Sequence, residues 1–209
     1  MDRKRRAVAG ATAAIAVGAA GCVGFVTGSE PLREEAKRTT VSEDALSETG
    51  FQEDEIEEVV IDEEIAADRE VEVTNWLATY EKAAELAGQS MEVGQFAVVS
   101  TPQFEILGRA MNPIDQLDNE ELLEEFLAEY DDLSVDGKAD SESVETLGTE
   151  VDVDRFDGVG TLAGQEFDLD LHITRVEVDD DFVIALGVHP EELPEFRDDI
   201  HRLIEGLER

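Results

Sequence analysis

Cysteine, tryptophan, histidine and lysine are all scarce in this chain of 209 residues. It has one cysteine, one tryptophan, three histidines and four lysines. A single cysteine excludes an intramolecular disulfide, so the fold must be held by its hydrophobic core. With 16 basic and 53 acidic residues, the net charge of −37 excludes the basic surface that binds nucleic-acid phosphates. We therefore expect no nucleic-acid partner.

Familiar catalytic and metal-binding motifs are also missing. The chain has no G-x-S-x-G elbow for a nucleophilic serine. Its histidines, His172, His189 and His201, are predicted on a strand, a loop and a helix, without the His-x-His or His-x₃-His spacing that pre-forms a metal site. These absences predict a protein that is not an enzyme and has neither a metal nor a cofactor.

Two weaker patterns have plainer explanations. The letters of Gly158–Ala163 match a nucleotide loop, G-x-G-x-x-A, but an alternating strand follows where a phosphate-binding helix is needed. Glu150, Asp152 and Asp154 are spaced like calcium ligands, yet they alternate with valines. That period of two favours a strand with one solvated face. The acidic run Asp179–Asp181 is predicted to be a turn.

The N-terminus has the order of an export signal. A basic cluster, residues 3–6, precedes 15 uncharged residues, 7–21. The stretch then ends in Ala19, Ala20, Gly21 and Cys22, which look like a lipobox, where the signal is cut and the new N-terminal cysteine is lipidated. We predict a signal peptide over residues 1–21, a membrane lipid attached to Cys22, and a short tether over residues 22–30.

Two alternatives to lipidation stay open. No charged residue occurs between Arg6 and Glu30, and such a stretch is long enough for an uncleaved membrane anchor. Its many Gly, Ala and Thr residues insert weakly, which favours the lipoprotein interpretation. A soluble cytoplasmic protein is the third possibility. The first two place the domain on the extracytoplasmic face of the cell membrane.

The acidic residues alternate with apolar ones, which indicates a folded chain rather than a disordered one. Self-repulsion at this net charge destabilises a compact state in dilute buffer. In about 1 M salt the Debye length falls to about 3 Å and most of that repulsion disappears. We infer a protein adapted to high salt, from a halophilic archaeon.

Residues 31–209 are predicted to form a single α+β domain, a sandwich in which a few helices pack on an antiparallel sheet. Ser42 and Gly50 are suitable caps for a helix over residues 43–49. Asp118 with Glu121 resembles a capping box, and apolar residues at helical spacing follow Pro194. Strands are predicted over residues 32–38, 55–65, 69–82, 92–100, 143–157, 166–177 and 181–188.

One loop is singled out as a ligand or partner site. Two prolines bracket residues 102–113, which contain Arg109 and Met111. Loops often carry function, and an arginine is conspicuous on so acidic a surface. We predict that this loop contacts a ligand or partner, although the nearby aromatic residues are better explained as core.

The stretches VTNWLATYEK (73–82), VVSTPQFEILGRAMNP (98–113) and DDFVIALGVHP (180–190) resemble a family of uncharacterised haloarchaeal lipoproteins, known only as a domain of unknown function. The resemblance covers nearly the whole chain and implies export, lipidation and salt adaptation, but no activity. The order of elements also resembles the PsbP-like α/β/α sandwich, an analogy of fold alone.

The function expected from these observations is non-catalytic. A membrane-anchored surface domain would bind an envelope protein partner or assist an envelope complex. The alternatives are a small-ligand-binding lipoprotein and a hydrolase or other enzyme without a recognisable motif. An enclosed pocket with converging polar groups would favour a ligand, whereas a flat apolar patch would favour a protein partner.

Overall fold

The computed structural model describes residues 31–65, 69–86, 89–106, 109–128, 133–162 and 165–209, and these are mostly β-strand. The strands are β1 (Leu32–Glu35), β2 (Thr40–Val41), β3 (Gln52–Ile65), β4 (Arg69–Leu86), β5 (Gln89–Pro102), β6 (Glu105–Ile106), β7 (Arg109–Ala110), β8 (Leu133–Thr146), β9 (Thr149–Leu162), β10 (Gln165–Val178), β11 (Asp181–Pro190) and β12 (Leu207–Glu208). The helices are α1 (Glu43–Thr49), α2 (Asn119–Leu127) and α3 (Glu195–Glu205), with a 3₁₀ helix at Pro113–Gln116.

One large sheet of eight strands dominates the fold. Its order is β1-β4-β5-β11-β10-β9-β8, and β3 pairs with the other edge of β4. All of these pairs are antiparallel except β1–β4, which is parallel. Two small sheets, β2–β12 and β6–β7, complete the described strands.

The predicted α+β sandwich, with helices on an antiparallel sheet, is therefore wrong. The fold is mostly β and its large sheet is mixed. Residues 133–142 of β8 were not predicted as strand, because this part of the strand is polar and has no buried apolar residue to show alternation. The predicted strand over residues 143–157 even crosses a turn at Leu147 and Gly148, which separates β8 from β9.

Each face of the sheet has its own hydrophobic cluster. On the face covered by α1 and α3, Tyr80 and Phe96 from the sheet pack with Phe196 and Ile200 from α3. On the face covered by α2, a second cluster contains Leu122, Leu123, Phe156, Leu171 and Phe182. Because alternate residues of a strand point to opposite faces, the same strands supply both clusters.

Local capping sets both ends of α1 and the start of α2. The Ser42 side chain accepts a hydrogen bond from the Ala45 N–H, and Gly50 ends α1 in the left-handed region with φ of 77°. Asp118 and Glu121 form the predicted capping box of α2. The sequence predictions for these helix ends are confirmed.

The β10–β11 hairpin is closed by a two-residue turn at Asp179 and Asp180, as predicted for this acidic run. Both residues have positive φ, 51° and 68°, which is the conformation of a type I′ turn. This turn fixes the register of the hairpin, so Asp170 lies opposite His189 and His172 opposite Gly187.

The long strand β3 lies at one edge of the sheet. Within the described part of the chain it pairs with β4 alone. The first half of β3 is rich in exposed acidic residues, which include Glu53, Glu55 and Glu57. None of the helices in the described ranges is long and apolar enough to cross a membrane.

Candidate functional site

The structure separates the two residues predicted to mark a binding loop. Arg109 lies in β7 and is exposed, whereas Met111 is half-buried and its backbone N–H donates to the Phe104 carbonyl at 3.0 Å. The predicted loop is thus a small hairpin, β6–β7, followed by the 3₁₀ helix. Met111 and Phe104 face a groove between this segment and the sheet.

Two polar side chains fix this segment in place. The buried Asn112 amide donates to the Thr101 hydroxyl at 2.9 Å and to the Pro102 carbonyl at 2.8 Å, and its carbonyl accepts from the Ile114 N–H. From β10, the Arg175 guanidinium donates to the Ile114 carbonyl at 2.6 Å and to the Leu117 carbonyl at 2.8 Å. These hydrogen bonds hold residues 112–117 against the sheet, so this segment forms one wall of the groove.

The groove under this wall, here called the apolar groove, has a volume of about 290 Å³. Its floor is the α2 face of β3, β4 and β5, beyond the part that α2 covers. The lining is mainly apolar and includes Ile61, Val73, Leu77, Val99, Phe104 and Met111. The described lining residues include no acid, base or thiol.

One polar atom in the apolar groove lacks a partner. Asn75 lines the groove, and its Oδ1 is buried without a hydrogen bond among the described residues. A buried carbonyl oxygen without a donor is destabilising, typically by about 1–3 kcal/mol. A bound molecule with an N–H or O–H group would satisfy it.

A second hollow, of about 270 Å³, lies farther along the same sheet face. The lining of this second hollow includes Thr79, Ala97, Leu186 and Val188. Thr79 and Ala97 are each two residues along their strand from a residue that lines the apolar groove. This hollow is less apolar than the groove, because Asp54 and Glu81 also line it, and the end of α2 flanks both.

On the opposite face, beneath α3, the β10–β11 hairpin brings three polar side chains together. Asp170, His172 and His189 offer ligand atoms that all lie within 4.8 Å of one another. The two Nε2 atoms are 3.1 Å apart, and His189 Nε2 lies 3.9 Å from an Asp170 oxygen. Both imidazoles are fully buried and stacked, with ring centroids 5.2 Å apart. We call this group the imidazole pair with Asp170.

The protonation of this pair follows from its surroundings. Burial lowers the pKa of His172 to about 2, helped by the charges of His189, His201, Arg197 and Arg155, and burial also lowers the pKa of His189. Both rings are therefore neutral. His189 Nδ1 carries the proton, because it lies 2.9 Å from the Pro190 carbonyl and must donate to it.

The Nε2 of His189 then carries no proton, and its lone pair accepts a hydrogen bond from the His172 Nε2–H. This leaves His172 Nδ1 buried without a partner among the described residues. Asp170 is bound on its other oxygen by Arg155, which also pairs with Asp157 at 2.8 Å. Although burial works against its charge, Asp170 raises the pKa of Arg155.

The His-x-His and His-x₃-His spacings apply only to histidines within one strand or helix. The argument from these spacings missed that residues i and i+2 of a strand share a face, as Asp170 and His172 do, and that His189 is also in a strand, β11, not in a loop. His201, on α3, packs edge-on against His172 with centroids 5.9 Å apart. The two-residue turn at Asp179–Asp180 was the signal that could have revealed the register.

The other sequence-based sites have simpler outcomes. Cys22 and the cleavage residues Ala19, Ala20 and Gly21 lie outside the described residues. Gly158 and Gly160, whose letters resemble a nucleotide loop, were expected to be turn glycines, but both lie within β9. Glu150, Asp152 and Asp154 also lie in β9, but Asp154 is buried and not solvated.

Comparison with known proteins gives one family. Residues 38–208 match DUF6517, a domain of unknown function. No curated protein matches the chain. The expected relationship to an uncharacterised family is thereby confirmed, whereas the haloarchaeal origin, the lipidation and the PsbP-like fold stay predictions.

Proposed function

We propose that this chain, which belongs to the DUF6517 family, is a non-catalytic binding protein that holds a small apolar molecule in the apolar groove. Cys22 anchors it by lipid to the extracytoplasmic face of the membrane of a salt-adapted archaeal cell. The observation that carries the binding proposal is the groove itself, an apolar space of about 290 Å³ with one unsatisfied buried acceptor, Asn75 Oδ1.

The chemistry of the ligand follows from this lining. Apolar walls favour a largely hydrocarbon molecule, and a single precisely placed acceptor favours one with an O–H or N–H group. A net charge of −37 repels anions, and the described lining holds no acidic residue to pair with a cation, which favours an uncharged ligand. The described lining residues offer no titratable group for a chemical step.

Energy transfer from the single tryptophan tests the binding. Trp76 is in the wall of the apolar groove, so a bound fluorescent acceptor will quench it. The probe is N-phenyl-1-naphthylamine, which is uncharged, apolar and carries one N–H. We expect saturable quenching of Trp76 in molar KCl.

Adjacent residues of β3 provide a matched pair of variants. Ile61 lines the groove and is 45% exposed, whereas Val60 is 47% exposed and lies on the other face of the strand. Ile61→Asp should weaken probe binding at least about tenfold, because it places a charge in the apolar wall. Val60→Asp should leave binding unchanged. Equal effects of the two variants, or no saturable binding by the parent chain, would overturn the groove proposal.

A second pair tests the wall segment. Met111→Ala should weaken binding of the probe, because Met111 lines the groove, and Arg109→Ala should not. The combined variant should resemble Met111→Ala alone. A loss of binding that follows Arg109 instead would favour an acidic partner at the exposed hairpin.

The lipid anchor is tested separately by the intact mass of the protein extracted from its native membranes. A chain that begins at Cys22 and carries a lipid adduct is expected. A mass that begins at Met1 or Asp2 without an adduct would contradict lipidation and leave a retained anchor or no signal at all.

A further inference from the structure

We propose that Asp170, His172 and His189 form a binding site for a divalent transition-metal ion of the zinc type. The site lies on the sheet face beneath α3, and the apolar groove is on the other face. The proposal is therefore independent of the apolar ligand, and neither test affects the other.

The ligand atoms have the spacing that such an ion requires. Zinc–nitrogen bonds of about 2.0–2.1 Å place two ligand nitrogens of a tetrahedral site about 3.3 Å apart. The Nε2 atoms of His172 and His189 are 3.1 Å apart. The Asp170 oxygen is 3.9 Å from His189 Nε2, so a turn of this carboxylate toward the rings completes a set of three ligands.

The outer contacts of His189 and Asp170 also match those of a metal centre. Ligating histidines usually donate their other ring N–H to a carbonyl or carboxylate, which fixes the tautomer. His189 does this through Nδ1 and the Pro190 carbonyl. Arg155 holds one Asp170 oxygen and leaves the other, Oδ2, facing His189.

The imidazole pair is expensive to bury for packing alone. His172 makes one side-chain hydrogen bond, to His189, and its Nδ1 is buried without a partner in the described part of the chain. An ion would leave Nδ1 without a partner, but it would give the two facing Nε2 atoms a shared electrophile in place of one hydrogen bond between neutral rings. On metal binding the His172 proton moves from Nε2 to Nδ1, so the ring stays neutral and no net proton leaves the pair.

The donor set selects the ion. Two imidazole nitrogens favour zinc, cobalt, nickel or copper over sodium, potassium and magnesium, which prefer oxygen. The many surface carboxylates can bind the harder ions only weakly. Three protein ligands leave a fourth position open, as in zinc sites that also bind water.

The test titrates the full-length chain, freed of metal by a chelator, in molar KCl. With Co²⁺ as the probe, tetrahedral or five-coordinate binding gives visible absorption, and a competing titration with Zn²⁺ gives the affinity and stoichiometry. We expect one ion per chain, unaffected by excess Mg²⁺. The absence of a saturable one-to-one site in the folded chain would overturn the proposal.

Variants assign the ligands. Loss of an outer contact at a metal site already costs about 10–100-fold in affinity, so His172→Gln and His189→Gln should each cost at least about 100-fold. His201→Gln is the matched control, because His201 packs against His172 but is outside the set, and it should bind like the parent. Parent-like binding by folded His172→Gln or His189→Gln would overturn the assignment.

If those buried variants fail to fold, X-ray absorption of the zinc-loaded parent chain shows which kinds of side chain bind the ion. The same measurement on His201→Gln, which keeps only His172 and His189 of the three histidines, identifies the pair by scattering from two imidazoles. Coordination by oxygen alone would show that zinc binds surface carboxylates and would contradict the site.

Discussion

The carboxylate of Asp181 forms a buried ion pair with the guanidinium of Arg209. The side chains are 7% and 6% exposed. Asp181 also accepts a hydrogen bond from the Lys37 N–H at 2.9 Å, and Arg209 donates to the Val178 carbonyl at 2.8 Å. This one pair fastens the last residues of the chain to the β10–β11 turn and to the segment that follows β1.

Arg209→Met should lower the free energy of unfolding by about 3 kcal/mol, because it leaves the buried Asp181 charge without its partner. Arg33→Met is the control, since Arg33 pairs with Glu72 at 3.1 Å but is 71% exposed. That exposed pair should contribute less than about 1 kcal/mol. Urea unfolding in molar KCl measures both, and similar losses would contradict a special role of the buried pair.

Asp154 joins β9 to β8 and α2. Its carboxylate accepts from Ser141 at 2.6 Å, from Asn119 at 3.0 Å and from Lys138 at 2.8 Å. Burial alone would raise the pKa of Asp154, but these donors outweigh it and lower the pKa below its ordinary value of 3.8. Asp154→Asn should therefore cost about 1–2 kcal/mol of stability at pH 7.

The effect of Asp154 should depend on pH in a definite direction. Its folded-state pKa is below the unfolded value, so its contribution is present above pH 3.8 and is lost as the pH falls through 3.8 and then the folded-state pKa. The difference between the parent and Asp154→Asn should be smaller at pH 3 than at pH 7. Urea unfolding at low protein concentration measures it, and a difference that grows in acid would contradict the assigned direction.

Gly187 permits the close contact between β11 and α3. A Cβ at this position would lie 2.7 Å from the Ile200 side chain. Gly187→Ala should cost about 1–3 kcal/mol, because overpacking forces the helix away from the sheet. Ile200→Val in the same chain should recover part of that cost, which thermal unfolding can measure. A fully additive double variant would show that the contact is not the cause.

Salt should stabilise the folded domain. Exposed carboxylates repel one another over about 10 Å in 0.1 M salt but over about 3 Å in 1 M salt. We expect near-UV circular dichroism to be lost in dilute buffer and regained in molar KCl. Glu55→Gln with Glu57→Gln, on the exposed edge strand, should reduce the salt dependence. A full native spectrum in dilute buffer would contradict adaptation to salt.

Helix ends could be predicted because their signals are local. The caps at Ser42, Gly50 and Asp118 act within four residues, and α3 shows its apolar stripe at Phe196 and Ile200. Strand lengths could not be predicted as well, because exposed acids in β3 and β8 look like loops until the partner strand is known. The parallel pairing of β1 with β4 joins residues far apart in the chain and has no local signal.

The candidate sites were likewise predictable only where their signals are local in the sequence. The loop with Met111 was predicted from its two prolines and from Arg109, but the groove beneath it depends on three strands that meet only in the fold. The imidazole pair needed the exact register of the β10–β11 hairpin. Once Asp179 and Asp180 are taken as a two-residue turn, Asp170 must pair with His189.

The outer edge of β3, which pairs with no other strand in the described ranges, makes association between copies depend on acidity. An exposed strand edge invites a second strand, and charged side chains are a common protection against it. On β3 that protection consists of carboxylates such as Glu53, Glu55 and Glu57, all exposed. As acid neutralises them, edge-to-edge pairing loses its main electrostatic barrier. Concentration-dependent aggregation, rather than simple unfolding of single chains, is then the expected fate of this protein at low pH.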